Sequence, residues 1–313
     1  MTNLTFGPVV LGGNVFGWTA SREESFAVLD AFLEGGGVAI DTADSYMQRA
    51  PGNSGGESET IIGEWLESRG VRDRVQVHTK VFSKHDRPGL SASNVALAVD
   101  ESLKRLRTDH VDLLYAHRDD HDVPQEEYVE AFDRLVRAGK VREVGASNFS
   151  AGRLSSALDL AAEHGWTPFT VAQDHWNLVE RELEHTLVPT LRERGIVELP
   201  YFSLAAGFLT GKYRPGQTPD SARSESAGAY LAKQGATELL TTLDDVAGAH
   251  GVSVAAVALA WLREQDPVGA PIASARTLEQ VAPLLESATL ELSRTELDAL
   301  TSASDVVTGS AAA

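Results

Sequence analysis

The sequence predicts an α/β fold, a (β/α)8 barrel of the TIM type, from three observations. Eight short apolar runs punctuate the chain, each of strand length. Segments with apolar residues three and four apart separate many of them, the spacing of a helix with one buried face. Polar residues capable of chemistry close several of the runs, and in a parallel barrel the C-terminal ends of the strands form the functional face. The competing doubly wound sheet usually carries a glycine-rich dinucleotide fingerprint after its first strand. Here "LGGNVFG" follows the first run, and no G-x-G-x-x-G opens a helix.

In chain order, the expected strands are "PVVLGG" (8–13), "GVAID" (37–41), "VQVHTK" (75–80), "VDLLYAH" (111–117), "VREVGAS" (141–147), "FTVAQ" (169–173), "IVELPY" (196–201) and "GAPIA" (269–273). Expected helices include "SREESFAVLDAFLEGG", "ESETIIGEWLESRG", "SNVALAVDESLKRLRT", "QEEYVEAFDRLVRAGK" and "SAGRLSSALDLAAEHG", several of them stopped by glycine. "SREE" and "SGGESE" supply capping residues and early carboxylates that favour helix N-termini. No linker divides the chain, so residues 1–313 are read as one domain. A Gly-, Ser- and Pro-rich stretch from 212 to 236 is too long for an ordinary connection, and about 205–236 is expected to be a mobile functional loop. About 303–313 reads as a frayed tail.

Composition narrows the function. With 42% hydrophobic and 23% charged residues the chain can bury a large core, and no run of eighteen apolar residues suggests a membrane span. A formal net charge of −18 opposes a nucleic-acid surface and anionic membranes. There are no cysteines, which excludes disulfide and thiolate chemistry and permits a cytoplasmic location, the one expected. No pair of histidines has ligand spacing beside a carboxylate, so no metal site is expected.

The strand ends carry Asp41, Lys80, His117, Ser147 with Asn148, Gln173, Tyr201, and Ser274 with Arg276. Asp41, Lys80 and His117 close three neighbouring strands, and Tyr46 follows Asp41 closely enough to fold back over it. A phenol titrates at about 10, too high for efficient proton donation near neutrality. A neighbouring ammonium favours the phenolate, and a carboxylate would hold that ammonium in place. Lys80 is therefore expected to meet Asp41 and acidify Tyr46, which gives a proton to a carbonyl oxygen while His117 fixes that oxygen's direction and hydride arrives from elsewhere. Asp44 is read as a turn contact, His78, Trp65 and Trp261 as core, and "GNSGG" (52–56) as a flexible substrate-side loop. Phe16, Trp18 and Trp176 follow strand ends as candidate pocket walls.

"DTADSY", "HTK", "LLYAHRDD", "GASNFS", "VAQDHWNL", "PYFSLAAGFLTGKY" and "PIASARTLEQV", in this order, resemble the aldo-keto reductases over nearly the whole chain, with a bacterial member expected. The resemblance implies a (β/α)8 barrel binding NADPH/NADP+ and a catalytic tetrad of Asp41, Tyr46, Lys80 and His117. It implies that Ser147, Asn148 and Gln173 hold the nicotinamide carboxamide and that Tyr201 stacks on the ring. Phe202, Ser203, Leu204, Gly207 and Lys212 would run beside the pyrophosphate, and Ser274, Arg276 and Gln280 would hold the 2′-phosphate end. The chain departs from the common pattern at Phe202 and Ser203, where many relatives have Ser-Pro. It departs again at Leu284, where an adenine-touching Asn is frequent, and at Trp176, where a Tyr is frequent.

The implied activity is reduction of aldehydes or ketones to alcohols by an NADP-dependent enzyme. The expected partners are a small carbonyl substrate and no nucleic acid or membrane, in a monomer or weak homo-oligomer. The alternative is a non-catalytic NADPH-binding regulatory subunit of the kind found on potassium channels. A Schiff-base lyase fits less well, because a lysine beside a carboxylate stays protonated and is a poor nucleophile.

Overall fold

The computed structural model describes residues 2–217 and 224–309. Its eight strands are β1 (Val10–Gly12), β2 (Ala39–Asp41), β3 (Gln76–Val81), β4 (Val111–Ala116), β5 (Val141–Ser147), β6 (Val171–Gln173), β7 (Val197–Glu198) and β8 (Ile272–Ala273). Each coincides with one of the apolar runs. They are parallel and hydrogen-bonded in the order β7-β6-β5-β4-β3-β2-β1-β8. The two ends of this sheet meet through backbone hydrogen bonds around residues 198–200 and 267–272. Glu198 donates to Pro267 at 3.0 Å, Gly269 to Glu198 at 2.8 Å and Ile272 to Pro200 at 2.8 Å. The ring is thus closed, as the sequence predicts.

Strand alternation sorts the side chains into two sets. Val10, Ala39, Leu113, Tyr115, Val171, Leu199 and Ile272 form one apolar cluster with Phe6. Leu11, Ile40, Leu114 and Ala172, one residue further along, belong to another, shared with the surrounding helices. The first set fills the barrel. Counting on by two from it reaches Asp41, His117, Gln173, Tyr201 and Ser274, so the period of two delivers these side chains to the open end.

The first five helices are α1 (Arg22–Glu34), α2 (Glu57–Arg69), α3 (Ala92–Leu106), α4 (Gln125–Arg137) and α5 (Ala151–His164). Their apolar faces cover the strands, with Phe32, Trp65, Leu106 and Phe132 fully buried. Ser21 caps α1 in a reciprocal box with Glu24. At α2 the expectation fails. The N-cap is Gly56, in a left-handed conformation at φ 96°, and no side chain caps it. Glu57 instead turns back to accept from the amides of Ser54 and Gly55. After β6 come α6 (Leu183–Thr186) and α7 (Val188–Arg194).

The segment after β7 is less open than predicted. Ala205–Thr210 forms a 3₁₀ turn, and Ser224–Leu231 is a helix, α8. Ala227 is buried there, and Tyr230 packs against Phe208 with ring centroids 6.0 Å apart. The expected loop therefore contains regular structure anchored by apolar contacts; residues 218–223 lie outside the described residues. Four further helices follow: α9 (Ala236–His250), α10 (Val254–Arg263), α11 (Val281–Thr289) and α12 (Arg294–Thr308). The expected tail is also corrected. Residues up to Thr308 belong to α12, where Ser304 and Val307 are buried, and a left-handed Gly309 ends the helix. Residues 310–313 lie outside the described residues. No single described helix is long and apolar enough to cross a membrane.

Candidate active site

A cavity of about 580 Å³ opens at the C-terminal ends of the strands, and Asp41, Tyr46, His117, Ser147, Gln173 and Tyr201 are among its lining. Lys80 lies beneath it, fully buried in β3. Its Nζ donates to Asp41 Oδ2 at 2.5 Å, to the Thr42 carbonyl at 2.8 Å and to the Tyr46 hydroxyl at 2.7 Å. All three ammonium hydrogens thus have acceptors. The Tyr46 hydroxyl donates to Asp41 Oδ2 at 3.0 Å. Gln173 Nε2 donates to the other carboxylate oxygen at 3.0 Å. Asp41, a buried charge at a strand end, is satisfied by one cation and two neutral donors, the condition under which such a charge is tolerated.

Burial first, and then the Asp41 charge, push the Tyr46 phenol well above its ordinary range. Burial and the Asp41 charge thus outweigh the acidification expected from Lys80, whose ammonium donates to the phenol oxygen, and Tyr46 holds its proton. Lys80 itself is pushed down by burial, against the upward pull of Asp41. His117 sits edge-on to Tyr46 with ring centroids 6.1 Å apart. Burial, then Lys80 and Arg118, push its pKa down to about 3, so the imidazole is neutral near pH 7. Its Nδ1 is buried without a hydrogen-bond partner.

Asp44, on the turn joining Asp41 to Tyr46, is fully buried. Its amide donates to the Lys80 carbonyl at 3.2 Å, so its contact is with β3 and not within the local turn expected for it. Its carboxylate accepts no hydrogen bond, and the Arg87 guanidinium stands 3.6 Å away. Burial and then Glu59 push its pKa up to about 7. His78 is buried and packs edge-on against Phe6, and Trp65 and Trp261 are core, as expected.

The opposite wall is built on Asn148, whose backbone is left-handed at φ 58°. Its amide donates to Asp174 Oδ1 at 2.9 Å, and its side chain reaches the His117 carbonyl and Ser147. The Tyr201 hydroxyl donates to Asn148 Oδ1 at 2.8 Å. His175 stacks on Tyr201 at 5.5 Å, with the ring planes 16° apart. Asp174 in turn donates its amide to Glu198. Burial raises Asp174 to about 7, and burial and then the Asp174 charge raise Glu198 as well.

The cavity continues past Phe202, Ser203, Leu204 and Gly207 to Lys212, and past Ser274 to Arg276 and Gln280. Phe202, Ala205, Ala206 and Gly207 all have positive φ. Such a conformation costs a non-glycine residue about 1–3 kcal/mol and is characteristic of ligand clamps. Gln280 Oε1 accepts from the Arg276 amide at 3.0 Å, and Ser274 Oγ donates to Asn14 at 2.6 Å. Among the described residues, neither Lys212 nor Arg276 forms an ion pair within 4.0 Å, which leaves two cations available to an anionic ligand.

Two of the three aromatic pocket candidates are displaced. Phe16 and Trp176 are core residues, the latter donating its indole N–H to Glu184 at 3.0 Å, and Trp18 alone of the three lines the cavity. Each of the other two follows a strand closely, but strand ends aim side chains outward as well as inward. Leu284 also lines the cavity. Asn14, Asp174 and Arg118 were not singled out from the sequence. All three sit within three residues of a strand end, and that proximity was the available signal.

The Aldo/keto reductase family model matches residues 8–305. A protein of Saccharomyces cerevisiae named as an aryl-alcohol dehydrogenase is 31% identical, over 94% of this chain and 82% of its own. A norsolorinic acid reductase of Emericella nidulans is 32% identical, over 95% of this chain and 78% of its own. An aldo-keto reductase of Alternaria alternata is 32% identical, over 92% and 85%. These relatives are fungal, and the bacterial placement expected from the sequence draws no support from them.

Proposed function

The chain belongs to the aldo/keto reductase family, and on that premise we propose that it reduces aldehydes or ketones to alcohols with NADPH, using Tyr46 as the general acid. The observation that carries this reading is the Tyr46 hydroxyl held between Lys80 and Asp41 on the floor of the cavity, beside a neutral His117. NADPH suits the two cations, Lys212 and Arg276, that form no ion pair among the described residues, and the strained backbone at the far end of the same cavity. Ser147, Asn148 and Gln173 would hold its carboxamide, and Tyr201, backed by His175, would support the ring. Phe202, Ser203, Leu204, Gly207 and Lys212 would flank the pyrophosphate. Ser274, Arg276 and Gln280 would take the 2′-phosphate. When bound, the cofactor supplies the hydride that reaches the carbonyl carbon.

This chain's own residues do the rest. The His117 imidazole directs the carbonyl oxygen. Tyr46 gives its phenolic proton to that oxygen as negative charge develops there, and its O–H bond breaks as the alcohol O–H forms. The hydrogen bond from Lys80 then holds the phenolate until a proton returns. Because Tyr46 is protonated at rest, the donor is loaded before substrate arrives. The names of two relatives, an aryl-alcohol dehydrogenase and a norsolorinic acid reductase, support carbonyl–alcohol chemistry here too.

The test is NADPH oxidation with 4-nitrobenzaldehyde. Tyr46→Phe should lower turnover by ~10²–10⁴-fold, the usual cost of losing a positioned acid. NADPH binding, followed by tryptophan fluorescence, should stay nearly intact. A variant keeping more than half the turnover would remove Tyr46 from this role, and absence of turnover in the unaltered protein would favour the regulatory-subunit reading.

A further inference from the structure

The cavity has a third cation that the cofactor's phosphates do not explain. Arg118, directly after His117, lines the cavity at its catalytic end, with Trp18 and Tyr46. Lys212 and Arg276 belong to the other end, where the phosphates would lie. Among the described residues, Arg118 forms no ion pair within 4.0 Å and its side chain has no hydrogen-bond partner.

Its two neighbouring carboxylates are committed elsewhere. Asp119 accepts from Arg153 at 2.6 and 2.9 Å and from Tyr128 at 2.9 Å. Asp120 accepts from the amides of Leu90 at 2.7 Å and Asp122 at 2.9 Å. Arg118 is exposed where it lines the cavity, next in sequence to His117, so in a chain with 45 acidic and 27 basic residues its guanidinium is free to offer paired donors to a ligand anion. The protein's net charge of −18 repels anions at long range, so capture needs a local cation. Trp18 and Tyr46 offer flat apolar surface around the same opening.

We propose that Arg118 determines specificity, selecting aromatic carbonyl substrates that carry an anionic oxygen, either a carboxylate or an ionised phenol. The guanidinium binds that oxygen through charge-assisted hydrogen bonds while the carbonyl points at Tyr46 and His117. This substrate class rests on the reductase reading above.

The experiment compares the unaltered protein with Arg118→Gln and Arg118→Lys. kcat/KM is measured with NADPH for 4-carboxybenzaldehyde, 4-hydroxybenzaldehyde at alkaline pH, and 4-nitrobenzaldehyde. Arg118→Gln should lose about tenfold or more on at least one anionic aldehyde, since a charge-assisted bond is lost, and stay within about threefold on the nitro compound. Arg118→Lys should recover part of the loss. The carboxylate and phenolate arms tell the two anion sources apart. Calorimetric binding of 4-carboxybenzyl alcohol and 4-nitrobenzyl alcohol to the NADP+-loaded protein gives a readout without turnover. If no aldehyde is reduced but Arg118→Gln weakens only the carboxylate ligand, the reductase reading falls and anion recognition stands. Equal losses for charged and neutral compounds, or no loss for either anion, would overturn the proposal.

Discussion

Gln173 and Asp41, 132 residues apart in sequence, meet across the barrel through an amide-to-carboxylate hydrogen bond of 3.0 Å. The amide nitrogen supports the same carboxylate that holds Lys80 and Tyr46, so Gln173 bears on the acid as well as on any cofactor. Gln173→Glu would set a second buried carboxylate against Asp41. An uncompensated buried charge costs about 3–5 kcal/mol, or roughly 6 °C or more in melting temperature for a domain of this size. Thermal melts should show that loss, with turnover down about tenfold or more, and Gln173→Met should melt closer to the unaltered protein. Equal melting of Gln173→Glu and the unaltered protein would mean that Asp41 does not need this donor.

Lys80→Met leaves Asp41 buried without a cation. Activity should be lost, and stability should fall by about 3–5 kcal/mol. Adding Asp41→Asn should restore much of the stability and none of the activity, because the stranded charge is then gone while the acid remains unsupported. In any residual pH–rate profile of Lys80→Met, the donor's apparent pKa should rise. Melting curves of the single and double variants decide the first point, and an unchanged profile would contradict the second.

Asp44 makes stability depend on pH. Its carboxyl titrates at about 7 in the fold and at about 3.9 in an unfolded chain. Between those values the folded state keeps a proton that the unfolded state releases, so this contribution is full below about pH 4 and lost as pH rises through 7. Asp44→Asn removes the titration. The melting temperature of the variant minus that of the unaltered protein should therefore grow from pH 5 to pH 8. A constant difference would show that Asp44 is ionised throughout.

Arg276 should distinguish the two nicotinamide cofactors, whose charges differ at the adenosine 2′-phosphate. Charge-assisted hydrogen bonds contribute about 1.5–3 kcal/mol each, so Arg276→Ala should weaken NADPH binding about tenfold or more. NADH binding should remain within about threefold. Dissociation constants from tryptophan quenching would decide it, and equal losses would make Arg276 a support for its own loop.

The fold was legible because strand and helix periods differ and the strand ends are polar. All eight strands stand where the apolar runs put them, and strand parity carries Asp41 and Gln173 to one face. What was illegible depends on aim and local backbone. Trp176 and Trp18 both follow strands, yet one turns into the core and the other into the cavity. Ser54 looks like a cap but lies two residues before Gly56, whose left-handed backbone makes the turn into α2. The order at 224–231 and 303–308 comes from tertiary burial of Ala227 and Val307, which local composition does not report.

The closing seam of the ring has its own consequence. Between β4 and β5 five residue pairs stand in register, whereas β7 and β8 contain two residues each and are bridged by the bonds at 198–200 and 267–272. Hydrogen-bonded segments with few neighbours open at lower free energy than a continuous ladder. Amide exchange should therefore begin at Glu198, Gly269 and Ile272 while the amides of β4 and β5 are still protected. Opening there would also admit water to the buried Glu198, next to Asp174 and the Asn148 wall. The strand amides expected to exchange first thus adjoin the candidate site, and exchange at the seam offers a way to follow ligand occupancy without any turnover assay.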